Sequence, residues 1–371
     1  MFLEAVVPDK KIAIVCDWLT TIGGAEKVVL ALHNLYPEAP IYTSQYDSSK
    51  IDWFKDADVR TTWLQKLPKN ATFRKFLPLL RRFAFESLDL TQYDIVISSS
   101  GAEAKSVKKL KKGAVHINYC HSPTHYYWQR YDEYIKNPGF GLLNPLARLG
   151  LRILVKPMRK WDFRVAQRPT SMIANSSHIQ KKIKEYYHRD SVVIYPPVDV
   201  EQFQKNAKNK KRDGLIIVGR QVPYKRFDLA ISAAIKINKK LTVIGDGPLH
   251  KNLMRQAEGH KNITFKTGLG AEQIAKLLSE SELFLFPGIE DFGIAPVEAL
   301  ASGTPVVAYN QGGALDYVNK DTGLFFENQT PESLGQALER GLKINWNHKK
   351  IKNFSANFSN DVFAESIQSI I

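Results

Sequence analysis

Residues 287–313, PGIEDFGIAPVEALASGTPVVAYNQGG, restrict this chain more than any other stretch. Leu283 to Phe286 form a short apolar run that Pro287 and Gly288 terminate, as where a buried strand reaches the edge of its sheet. Glu290 then falls in a loop. Gly293 allows a tight turn, and Ile294 to Ser302 reads as a helix whose first N–H groups face back toward that loop. PVVAY after the helix reads as the next strand. Such a helix start suits a phosphate. On one continuous helix Glu290 and Glu298 would stand about 12 Å apart and diverge. With Glu290 in the loop, both can line one cleft, where they would accept hydroxyl groups, a combination that suits a nucleotide-sugar.

The same alternation fills the chain. Lys11 to Asp17 reads as a strand, Gly23 and Gly24 as a loop, and Ala25 to Leu35 as a helix, the first unit of a parallel α/β sheet. Further strands are expected at Ile41 to Ser44, Tyr93 to Ser98, Val115 to His121, Met172 to Asn175 and Val192 to Tyr195. At 371 residues two cores are expected. The boundary is placed at YPPVD, Tyr195 to Asp199, ahead of the polar run KNAKNKKRDG. This gives domains at 1–199 and 200–358, with a last helix over 359–371 that can cross back to the first. After the boundary, the strand Gly214 to Val218 ends in Gly219 and Arg220, and Lys225 follows ahead of a helix. Two cations at a strand's carboxyl end can clamp a pyrophosphate.

The ED-FG-IAPVE-A pattern, with GTPVVA following, resembles the signature of retaining glycosyltransferases of the GT-B fold, family four. The group most similar in character is the bacterial mannosyltransferases of surface-polysaccharide assembly, on DWLTTIGGAEKV, APIYTSQYD, FESLDL and YDIVISSS. The resemblance implies two Rossmann-like doubly wound domains, the donor nucleotide mainly on the second and the acceptor mainly on the first. It implies that Glu290 holds sugar hydroxyls and Glu298 the ribose. Arg220 and Lys225, within GRQVPYKRFDLAI, would hold the diphosphate together with the helix start at Phe292, Gly293 and Ile294. Bare backbone at Gly23 and Gly24 would let the diphosphate approach. His121, in NYCHSPTHYYW, would reach the donor sugar. The family's Arg in that segment is His125 here, and Asp17, His125 and Tyr126 are the acceptor-side candidates.

The expected activity is transfer of a hexose, mannose favoured, from a nucleotide-sugar, GDP-mannose favoured, to a glycan or polyprenyl-diphosphate-linked acceptor. A nucleotide-sugar epimerase, a phosphorylase or a non-catalytic basic lipid-binding module are the alternatives. No D-x-D lies between apolar runs and no His or Cys cluster has ligand spacing, so neither metal nor other cofactor is expected.

Net charge is +15, and residues 1–199 hold 30 Lys and Arg against 19 Asp and Glu. No nucleic-acid-binding signature accompanies that excess, and nucleic acid is not an expected partner. An anionic membrane surface is, through Arg74, Lys75, Arg81 and Arg82 in the stretch Phe73 to Leu90, where Pro78 reads as a break. The greasy, basic stretch from Gly139 to Lys160 is the alternative surface; Arg148, Arg152 and Lys156 interrupt it too often for a span. The first residues lack a signal-peptide pattern. Cys16 and Cys120 read as buried free thiols. The expected location is therefore cytoplasmic, peripheral on the inner face of the cell membrane.

Overall fold

A computed structural model describes residues 10–69, 77–136, 138, 139, 141–205 and 212–371. Arg74, Lys75 and most of the polar run after Asp199 lie outside them. The chain divides into two compact units, residues 1–196 with 364–371, and residues 197–363. Each contains a parallel sheet.

In the first unit the strands are β1 (Ile12–Cys16), β2 (Ile41–Thr43), β3 (Val59–Thr61), β5 (Ile95–Ser100), β7 (Val115–Cys120), β8 (Ser171–Ala174) and β9 (Val192–Val193). They lie in the order β3-β2-β1-β5-β7-β8-β9, while the short β4 (Asp89–Leu90) and β6 (Lys109–Leu110) pair with each other. β5 starts two residues beyond the expected Tyr93 and runs to Ser100. Helices cover both faces of such a sheet, so its central strands must be largely buried. β5 and β7 meet this requirement even where they carry polar residues. Ser98 Oγ lies 2.8 Å from His116 Nε2 and accepts from Asn118 Nδ2 at 2.9 Å, which satisfies that hydroxyl inside the sheet.

In the second unit β10 (Leu215–Val218), β11 (Leu241–Ile244), β12 (Ile263–Lys266), β13 (Leu283–Phe286), β14 (Val306–Tyr309) and β15 (Gly323–Phe326) lie in the order β12-β11-β10-β13-β14-β15. All ladders are parallel. This is the doubly wound order, with the direction of winding reversing between β10 and β13. β13 is buried along its whole length. The flanking helices carry their own start and stop signals. In the helix Pro331–Lys343 the Thr330 side chain accepts from Ser333 N, Pro331 occupies the first turn, and Arg340 and Lys343 occupy the last. Its inner face buries Leu334, Ala337 and Leu338.

Two expectations for the first unit are corrected. Pro78 does not break a helix; it opens the helix Pro78–Ser87, where its missing N–H is not needed. Arg81 does not face a membrane. It is 3% exposed, and its Nε donates to Glu103 Oε2 at 2.7 Å. Burial pushes the Glu103 carboxyl above its ordinary range, against the opposing pull of Arg81. A second internal pair joins Lys105 to Asp162 at 2.8 Å. Asp162 also accepts from Trp128 Nε1 and Tyr187 Oη, each at 2.7 Å, so its lone pairs are used. Burial, the largest single influence, would lower the Lys105 pKa; Asp162, with smaller help from Cys120 and Asp17, raises it overall.

Candidate functional site

In an open parallel sheet the crevice for a ligand lies beyond the carboxyl ends of the strands, where winding reverses. In the second unit that point lies between the loop after β10 and the loop after β13. Glycine brings the two loops together. A Cβ on Gly288 would stand 2.7 Å from Lys225 Cα, so only glycine permits that approach. The ammonium of Lys225 reaches back over Gly219 and meets Glu290 Oε1 at 2.6 Å. Both side chains are 16% exposed. Arg220, next to Gly219 in the same loop, is exposed.

Three further bonds fix the loop after β13. Gly313 N donates to Glu290 O at 2.9 Å, Tyr317 Oη donates to Phe292 O at 2.8 Å, and Gln329 Nε2 donates to Pro287 O at 2.8 Å. Phe292 turns its ring inward, 3% exposed, against Tyr317 and Phe358, leaving its backbone as the part able to meet a ligand. Gly293 has φ 93° and ψ 94°, and a Cβ there would lie 2.6 Å from Phe286 Cζ. Conformation and space both require glycine. The helix Ile294–Ala301 begins at that turn with no side-chain cap, so the N–H groups of Ile294 and Ala295 can meet an anion. Glu298, in its second turn, is 9% exposed.

The sheet edge thus gathers Gly219, Arg220, Lys225, Glu290, Phe292, Gly293, Ile294 and Glu298 in one unit. It can hold an anion on Arg220, Lys225 and the helix start, and it can accept hydroxyl groups on carboxylates. Among the described residues no group of three or more His, Cys, Asp or Glu could hold a metal ion. Sequence reading missed Tyr317, Gln329 and the fully buried Gln221, whose Oε1 lies 2.8 Å from His250 Nδ1. These residues act through contacts 25 or more positions away, and no local pattern announces them.

The remaining candidates sit at the carboxyl edge of the first sheet. Asp17, directly after β1, accepts from the backbone N–H groups of Gly101, Ala102 and Ala104 at 2.8–2.9 Å, so it holds the loop after β5. His121, directly after β7, has Nε2 2.7 Å from Ser99 Oγ. His125 Nδ1 lies 3.1 Å from Ser122 Oγ and 2.9 Å from Gln129 Nε2. Tyr126 Oη donates to Glu103, and burial raises its pKa well above the ordinary value. Gly23 caps the helix Gly24–Leu35 in extended conformation, close to the Glu26 carboxylate.

Residues 22–202 match the family described as Glycosyltransferase Family 4, and residues 198–358 match Glycosyl transferases group 1. The alpha-1,3/1,6-mannosyltransferase ALG2 of Mus musculus is 22% identical over 409 residues, covering 94% of this chain and 93% of that protein. A GDP-mannose-dependent alpha-(1-6)-phosphatidylinositol dimannoside mannosyltransferase of Mycobacterium tuberculosis is 33% identical over 132 residues, 33% of this chain and 34% of its own. Among solved structures, Anabaena Alr3699/HepE in complex with UDP aligns with TM-score 0.71 at 17% identity, covering 97% of this chain and 99% of that one. WaaG, a glycosyltransferase involved in lipopolysaccharide biosynthesis, aligns with TM-score 0.64 at 13% identity, again over 97% and 99%. Two parallel sheets flanked by helices, and two family domains that together run from residue 22 to residue 358, lead to one conclusion: the chain belongs to the family 4 glycosyltransferases of the GT-B fold and is a hexosyltransferase.

Proposed function

We propose that this enzyme moves mannose from GDP-mannose to a glycan or polyprenyl-diphosphate-linked acceptor, with retention at the anomeric carbon and without a metal. Full-length similarity to ALG2 and local similarity to a GDP-mannose-dependent enzyme favour mannose as the sugar and GDP as its carrier. The observation that carries the chemical reading is the contact of Lys225 with Glu290 at the switch point. A cation for the diphosphate and a carboxylate for sugar hydroxyls already touch there, so the two halves of one donor have adjacent partners.

Transfer requires a nucleoside diphosphate to leave while positive charge grows at the anomeric carbon. In this reading Arg220, Lys225 and the N–H groups opening the helix Ile294–Ala301 offset the leaving charge, the work a metal performs elsewhere. Glu290 orients the transferred sugar and Glu298 the ribose. A phosphate oxygen of the leaving group accepts the proton of the incoming hydroxyl, and no side-chain base is needed. Asp17, His125 and Tyr126 belong to the acceptor half of the proposal, His121 to the donor sugar, with Gly23 and Gly24 beside the diphosphate. Work on an inner-leaflet acceptor places the enzyme on the cytoplasmic face of a membrane, peripherally; among the described residues no helix is long and apolar enough to cross one.

A thermal-shift panel of nucleotide-sugars tests the donor, and proton NMR of the product tests the stereochemistry. GDP-mannose is expected to stabilise the protein most, and the product to keep the donor's anomeric configuration. Stabilisation by a different nucleotide-sugar alone would replace the donor, and an inverted product would end the retaining reading. Excess EDTA is expected to leave the rate unchanged; a rate that collapses and returns with magnesium or manganese would end the metal-free one.

A further inference from the structure

The helix Asn144–Val165 is anchored by its second half, which buries Val155, Met158, Trp161, Asp162 and Val165. No residue of the helix before Val155 is buried. Leu146 is 69% exposed, Leu149 54%, Ile153 64% and Leu154 41%. Leu146, Leu149 and Ile153 follow one another at three and four residues, so they form one stripe along the helix. Arg152, Lys156 and Lys160, all exposed and four residues apart, form the adjacent stripe. No acidic residue occurs between Glu133 and Asp162, and Asp162 is internal, paired with Lys105.

An apolar stripe exposed among the described residues, bordered by cations with no acid in the helix ahead of Asp162, fits an anionic lipid surface: aliphatic side chains enter the acyl boundary while the basic row meets phosphates. A second copy of this chain fits less well. An antiparallel two-fold contact through this face would set each basic row against its own copy. The basic stretch nearer the N-terminus is also weaker, because its Arg81 is internal. We propose that the exposed half of the helix Asn144–Val165 is the surface by which this enzyme lies on anionic bilayers. The inference deepens the peripheral location proposed above, by naming the surface, and is independent of the donor chemistry.

The test uses the full chain with vesicles of phosphatidylcholine alone and vesicles enriched in phosphatidylglycerol. Wild type is expected to sediment with the second kind only, less so in high salt. Leu146→Ser/Leu149→Ser/Ile153→Ser is expected to lose binding at least tenfold. Arg152→Gln/Lys156→Gln/Lys160→Gln is expected to lose about a hundredfold, at roughly fivefold per charge near the surface. Nucleotide binding in solution separates the two proposals: both variants are expected to retain it, whatever the vesicles show. A Leu149→Cys protein carrying an environment-sensitive dye supplies a reading that does not depend on those variants. Cys16 and Cys120 are buried and leave the new thiol as the labelling site. The dye is expected to blue-shift on anionic vesicles, while the same dye at Leu315→Cys, exposed in the second unit, stays unchanged. Wild-type binding by both triple variants would overturn the proposal, as would a dye at position 149 that is silent on vesicles. A dye that shifts without lipid as the protein dimerises would overturn it in favour of a second copy.

Discussion

The ammonium of Lys225 lies 2.6 Å from Glu290 Oε1 and ties the loop after β10 to the loop after β13, across the point where the second sheet reverses its winding. Neither group then has to be ordered when a ligand arrives, and each depends on the other. Lys225→Met and Glu290→Gln should therefore be non-additive in turnover, with a coupling of about 0.5–3 kcal/mol in a double-mutant cycle. Purely additive losses would show that the contact does not matter to the reaction. Arg220→Ala, which removes an exposed charge from the loop after β10, should lower turnover about a hundredfold or more. A folded Arg220→Ala enzyme with wild-type rates would remove Arg220 from the site.

The two carboxylates should fail differently. Glu298→Gln should weaken free nucleoside diphosphate about as much as the whole donor, because both carry the ribose. Glu290→Gln should lower turnover far more than it changes affinity for the free nucleotide, because its partners are hydroxyls of the transferred sugar. Each loss should be about 1.5–3 kcal/mol, the range for a hydrogen bond to a charged group. Calorimetric titration of the nucleotide into both variants decides between this assignment and its reverse.

Tyr317 holds the turn ahead of the helix Ile294–Ala301 by donating to the Phe292 carbonyl at 2.8 Å. Tyr317→Phe keeps the buried ring and leaves that carbonyl without its donor, at a cost of about 1–3 kcal/mol. Gly293→Ala should cost more, since it adds strain at φ 93° to a collision with Phe286. Urea unfolding of the two variants gives both values, and the opposite ranking would contradict the geometry.

Arg81→Gln leaves Glu103 buried without its cation and should destabilise the protein by about 3–5 kcal/mol. Arg81→Met/Glu103→Met should recover much of that loss. If Arg81→Gln unfolds at the wild-type urea concentration, the ion pair is not internal in solution.

Burial, with the nearby Arg168 charge, depresses the His116 pKa from 6.5 to about 3. A depressed histidine contributes stability that is fully present above the unfolded-state value and is lost as pH falls from there toward the folded-state value. Wild type should therefore lose stability relative to His116→Gln between about pH 6.5 and pH 3, at up to roughly 1.4 kcal/mol per pH unit. Parallel stability curves for the two proteins across that window would show that His116 does not take up the proton on unfolding.

The sequence determined what depends on near neighbours. Apolar runs closed by glycine or proline marked the strands, and β13 ends where Pro287 follows it. The turn at Gly293 placed a helix start there, and the structure begins that helix at Ile294. Lys225 and Glu290 were legible as loop residues after strands; their contact was not, because it joins positions 65 apart and depends on β13 lying beside β10. Only the tertiary structure decided which charges are internal. Arg81 reads as a member of a basic stretch and Lys105 carries no local signal, yet Glu103 and Asp162, remote in sequence, bring them inside. The exposed leucines of the helix Asn144–Val165 are the converse case: their spacing fits a buried face equally well, and only the tertiary structure leaves them uncovered among the described residues. Turn and strand signals are local because backbone sterics act between adjacent residues. Burial is the property of a whole packed unit, and no short window contains it.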